Sequence, residues 1–146
     1  MQNKAVKLSL LATALFMLAA AVLIILAPRL IRWYANYRQI PKAGRIAITA
    51  AFYGSVVPAI AALCCLWRLL GNIRRERPFL QENSRLMAMI SWCCVLVALA
   101  TGIAARWYLP LLFVTVSMAF IFLIVRVVRN CFIAAIAIKE ENSLTI

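Results

Sequence analysis

The chain contains no histidine and no aspartate, and only four of its 146 residues are acidic: Glu76, Glu82, Glu140 and Glu141. Without histidine there is no histidine-ligated haem, no histidine-based zinc site and no histidine-dependent triad. Charge of either sign is also missing from long stretches. Residues 8–27, 46–67, 86–105 and 107–125 carry none, and each run holds about 20 residues. A helix needs roughly 20 apolar residues to cross a ~30 Å hydrocarbon core, so four runs predict four transmembrane helices. A soluble bundle would show polar faces at helical spacing, which these runs do not have.

What is present agrees with that reading. Apolar residues make up 66% of the chain and the mean hydropathy is +0.97, well above a soluble domain. The length suits one domain, residues 1–146, with four spans. Lys4 and Lys7 before an apolar run resemble a secretory signal. The run is longer than a signal core and leads into more apolar sequence rather than a polar mature start, so it reads as a retained first span.

Cysteines at 64, 65, 93, 94 and 131 match no zinc or thioredoxin spacing. Adjacent helical residues point ~100° apart, and small apolar fillers of helix interfaces are the expected role. No cofactor or metal is expected.

With four spans, both termini and the middle loop share one side. That side holds Lys4, Lys7, Arg68, Arg74, Arg75, Arg77, Arg85, Arg126, Arg129 and Lys139, ten bases. The other holds Arg29, Arg32, Arg38, Lys42, Arg45 and Arg106, six. The positive-inside rule puts both termini in the cytoplasm of a bacterial plasma membrane. The net charge of +12 is spread around span ends, where bases meet lipid phosphates, so direct nucleic-acid binding is not expected.

The first outer loop is itself basic. If residues 29–39 are helical, Leu30, Trp33, Tyr34 and Tyr37 share a face opposite Arg29 and Arg32. Such a helix would lie in the membrane interface, anchoring the chain or meeting an anionic lipid or an outside signal. Trp107 and Tyr108 would complete an aromatic belt on the same side. Within the spans, Ala50, Gly54 and Pro58, and Ala98 and Gly102, predict close helix approach. Pro58 should kink the second helix. No charge lies in any span, and Thr49, Ser55, Ser91, Thr101, Thr115 and Ser117 are too scattered for a polar pore lining. Arg126 and Arg129 should snorkel at the cytoplasmic edge, with helix 4 continuing past them to about Asn142.

The four acids sit beside a repeated tripeptide, Glu82-Asn83-Ser84 and Glu141-Asn142-Ser143. Pro78 suits a first helical turn, after which Phe79, Asn83, Leu86 and Ile90 share a face. Asn83 is then a polar residue in an apolar stripe and should find a partner, for which the C-terminal helix is the expected source. Arg74, Arg75 and Arg77 with Glu82, Arg85, Glu140 and Glu141 predict a polar cluster between middle loop and tail. Solvated ends are the alternative, with ion pairs worth ~0–1 kcal/mol.

Four spans, the entry Pro78-Phe79-x-x-x-Asn83 and the ending Glu141-Asn142-x-Leu144-Thr145-Ile146 resemble a bacterial family of small membrane proteins labelled only as a domain of unknown function. Ser143 stands where that family's pattern has an acid. Members are often encoded beside a small Cro/C1-type helix-turn-helix regulator, and the resemblance implies no activity and no cofactor. The expected fold is an all-α integral membrane four-helix bundle with helix 4 extended into the cytoplasm. The expected function is a non-enzymatic scaffold or regulator. Its interaction surface would comprise Arg75, Arg77, Phe79, Glu82, Asn83, Glu140, Glu141, Asn142, Leu144, Thr145 and Ile146. A small transport or channel component acting as a homo-oligomer is the alternative. A membrane enzyme would have only Cys64, Cys65, Cys93 and Cys94 to work with.

Overall fold

The computed structural model describes residues 2–75 and 81–144, with side chains from Lys7 onward. It contains α1 (Gln2–Tyr37), α2 (Lys42–Arg74), α3 (Gln81–Ala104) and α4 (Leu111–Leu144), and the fold is all-α. All four helices are long and apolar enough to cross a membrane. At ~1.5 Å per residue, the 34 residues of α4 rise about 51 Å, far more than one ~30 Å hydrocarbon core.

The first connection is sharp because the helix end caps itself. Gln39 takes a positive φ of 51°, and the Ile40 N–H reaches back to the Ala35 carbonyl at 3.0 Å. This left-handed closure satisfies carbonyls that a helix end otherwise leaves open. Pro41, extended at ψ 154°, then starts α2, where a missing N–H costs nothing. Residues 29–37 are therefore the last turns of α1. The separate interfacial helix expected over 29–39 does not form, since Pro28 is accommodated inside a continuous helix.

Packing follows a repeat of alternating three and four residues. On α1 the inward positions are Leu10, Thr13, Met17, Ala20, Ile24, Ala27, Ile31 and Tyr34. On α3 they are Asn83, Met87, Ile90, Cys94, Val97, Thr101 and Ala104. On α4 they are Leu111, Thr115, Met118, Phe122, Val125, Arg129, Phe132 and Ile136. On α2, Gly44, Ala51, Pro58 and Cys65 are buried at seven-residue intervals. A mean period of 3.5 is that of left-handed knobs-into-holes packing.

These seams join chain neighbours only. Among the described residues α1 packs on α2, α2 on α3 and α3 on α4, with no backbone contact between other helix pairs. A closed four-helix bundle would set α4 against α1; the structure instead is an open row. In it α3 is the best-covered helix, and α4 buries no residue fully.

The small-residue expectation is corrected on α2. Ala50 and Gly54 point away from the seam, and a Cβ added at Gly54 would meet nothing within 4 Å. Close approach occurs at Gly44, where an added Cβ would come 2.8 Å from Ile40 and 3.4 Å from Trp107. Periodicity of four selects a different face from periodicity of seven, and the seven-residue series is the packed one.

Candidate functional site at the α2–α3 end

Cys65 and Leu69 of α2 and Leu86 and Met87 of α3 form an apolar cluster. Ile73, Ile90, Val125 and Phe132 pack against it, so three helices meet there. Polar groups cap this cluster. The Asn72 side-chain amide donates to the Asn83 Oδ1 at 2.8 Å, and Asn83 has 0% exposure. A buried amide costs stability unless bonded, and the asparagine on the next helix supplies a bond. The expected apolar stripe with one polar member is present, but the described partner comes from α2 rather than the C-terminal helix.

A second tie crosses the α3–α4 seam. Arg129 occupies a seam position on α4, and its Nε donates to the Ser84 carbonyl at 3.1 Å. That arginine was expected to snorkel at the cytoplasmic edge; its guanidinium is held by the first turn of α3. Arg126 lies over its own helix, 5.8 Å from the Phe122 ring centre. Farther along the seam the Thr101 and Thr115 hydroxyls sit 2.9 Å apart. Each polar residue named here in a seam faces a polar group on the facing helix, and such pairs select one register among many apolar alternatives.

Beside Arg129, Gln81, Ser84, Arg85, Ile133 and Ile136 line an open groove of about 240 Å³. A second, of about 360 Å³, lies among Leu10, Trp67, Gly71, Arg74 and Arg75 at the end of α2. Of the residues expected to form a surface, Arg75, Glu82, Glu140, Glu141, Asn142 and Leu144 are exposed. Asn83 is wholly enclosed and acts through packing. Arg77, Phe79, Thr145 and Ile146, like Pro78, lie outside the described residues. Arg75 and the α4 tail are not joined by helix packing, because α2 and α4 make no backbone contact among the described residues. The polar contacts described at this end join Asn72 to Asn83 and Arg129 to Ser84. Asn72 and Arg129 were signalled in the sequence by register: Asn72 continues the series 44, 51, 58, 65, and Arg129 the series 111 to 136.

The cysteines divide by position. Cys65 and Cys94 are buried in seams, while Cys64 and Cys131 are exposed. Their burial matches the filler role for the first two.

The chain belongs to a family described as proteins of unknown function, DUF2975, which it matches over residues 6–146. No curated protein and no solved structure matches it.

Proposed function

We propose that this protein is a non-enzymatic, multi-pass protein of the bacterial plasma membrane, with both termini in the cytoplasm, that presents its α2–α3 end and its α4 arm to a cytoplasmic partner. The arm is the observation that carries this reading. Phe132 packs on the apolar cluster and Ile136 still faces the α3 seam, yet α4 continues from 136 to Leu144, about eight residues and roughly 12 Å. Beyond Arg126 and Arg129 the membrane ends in this reading, so Ile138 (59% exposed) and Leu144 (87%) stand in water. Apolar side chains held out on an ordered arm are a docking feature. Exposed Glu140 beside them favours a partner with a basic surface, and the family resemblance makes a helix-turn-helix regulator the first candidate.

The test uses full-length protein in nanodiscs and the purified helix-turn-helix regulator encoded nearest its gene. Binding should be saturable, and Ile138→Glu or Leu144→Glu should weaken it about tenfold, as expected for an interface anchor. Equal binding to an unrelated four-helix membrane protein, or indifference to both substitutions, would refute the proposal.

A transport or channel component assembled from several copies is the second reading, favoured by the open row, which leaves α1 and α4 without a covering helix on one side. Against it stands the disposition of the hydroxyls. Thr13, Ser55, Ser91, Thr101 and Thr115 each bond a carbonyl one turn back on their own helix. Groups satisfied in this way do not supply the polar lining a hydrated path requires.

A further inference from the structure

At the opposite end of the row, the α1–α2 and α3–α4 turns meet. The Tyr34 hydroxyl donates to the Tyr108 hydroxyl at 2.9 Å, with the rings edge to face at 5.4 Å. The Arg38 side chain, one turn beyond Tyr34, lies beside the Tyr34 hydroxyl. Under this polar rim runs an open groove of about 330 Å³, walled by Leu30, Ile31, Ile40 and Ile48 and flanked by Trp33. Its size falls at the lower end of small-ligand pockets, ~300–1,000 Å³.

Charge at this end is one-sided. Arg29, Arg32, Arg38, Lys42, Arg45 and Arg106 all belong to the two turns and the helix ends flanking them. The four acids at 76, 82, 140 and 141 belong to the α2–α3 connection, the first turn of α3 and the end of α4. Six cations thus lie at the same end of the molecule as a groove whose lining is apolar apart from the Tyr34 and Tyr108 hydroxyls.

We propose that the groove holds an acyl chain of an anionic phospholipid, with the phosphate bound at Arg38 and the Tyr34–Tyr108 hydroxyl pair. The proposal rests on the membrane reading above and goes beyond it by assigning a lipid site to the end away from the arm. One phenol proton is used within the pair and the other is left to donate, as a phosphate oxygen requires. A soluble anion would use the rim and leave the apolar groove empty. An apolar peptide would fill the groove and leave six cations uncompensated. A zwitterionic lipid would add a further cation where there are six. An anionic phospholipid meets both demands, since basic groups at a membrane surface attract such lipids and aromatic side chains settle at headgroup depth.

The experiment is native mass spectrometry of the full chain released from nanodiscs doped with phosphatidylglycerol or phosphatidylcholine of identical acyl chains. Phosphatidylglycerol should be retained roughly fivefold better, the scale of one basic group at a lipid surface. Arg38→Gln should remove most of that preference, Tyr108→Phe should reduce it, and Arg68→Gln at the other end should leave it intact. Equal retention of the two lipids would overturn the site, as would an Arg68→Gln effect matching Arg38→Gln, which reports net charge alone. Displacement of the lipid by millimolar inorganic phosphate would reassign the rim to a soluble anion and also overturn it. If Arg38→Gln lowers the melting temperature, Tyr108→Phe and Ile48→Ala supply the readout. Extraction of the wild-type protein by alkaline carbonate would refute the membrane reading itself. Retention in carbonate with no lipid preference would refute only the site.

Discussion

Asn72 of α2 and Asn83 of α3 meet amide to amide at 2.8 Å above an apolar cluster, and Asn83 is closed off from its surroundings. The pair works as a register lock. Sliding α2 past α3 by one turn would keep apolar contacts but bury an unbonded amide, at ~1–3 kcal/mol.

Asn83→Leu and Asn72→Leu should each therefore destabilise the protein by about 1–3 kcal/mol. The double substitution should cost less than the sum, since two leucines leave no orphan amide between them. Denaturation of the four variants in one detergent gives the coupling. Strict additivity would mean the two amides do not act as a pair.

Arg129 and Ser84 give a contrasting case, because the acceptor is a backbone carbonyl. Ser84→Ala keeps that acceptor and should change stability by less than about 0.5 kcal/mol. Arg129→Met removes the donor and should loosen α4 from α3, seen as faster proteolysis after residue 129 in inside-out vesicles. If Ser84→Ala is the more disruptive of the two, the carbonyl bond is not what fastens α4.

Gly44 and Gly54 should respond oppositely to a methyl group. Gly44→Ala would press on Ile40 and Trp107 and lower the melting temperature. Gly54→Ala enters open space and should raise it, the intrinsic gain in a helix being up to ~1 kcal/mol. Equal responses at both sites would argue against the observed face of α2.

Topology is checked by reporter fusions at Asn3, Ala43 and Asn142. A ten-to-six excess of bases on the α2–α3 side predicts cytoplasmic signals at Asn3 and Asn142 and an external one at Ala43. A cytoplasmic signal at Ala43 would reverse the arrangement and move the α4 arm outside.

Four helices and the continuation of α4 to about Asn142 were determined by the sequence alone. Length, missing charge and missing helix breakers act locally, residue against solvent, and need no knowledge of neighbours. The burial of Asn83 was legible for the same reason, since an apolar stripe identifies its own odd member. Tertiary structure decided what depends on two helices at once. It chose Asn72 as the described partner, because that asparagine comes level with Asn83 only when α2 and α3 lie in one register. It turned Arg129 into the seam and left Gly54 outside, because one residue per seven, rather than one per four, returns to the same side of a packed helix. It also opened the expected bundle into a row. Four apolar helices satisfy a hydrocarbon solvent in either arrangement, so hydropathy cannot choose between them; the side chains where α2, α3 and α4 interlock do.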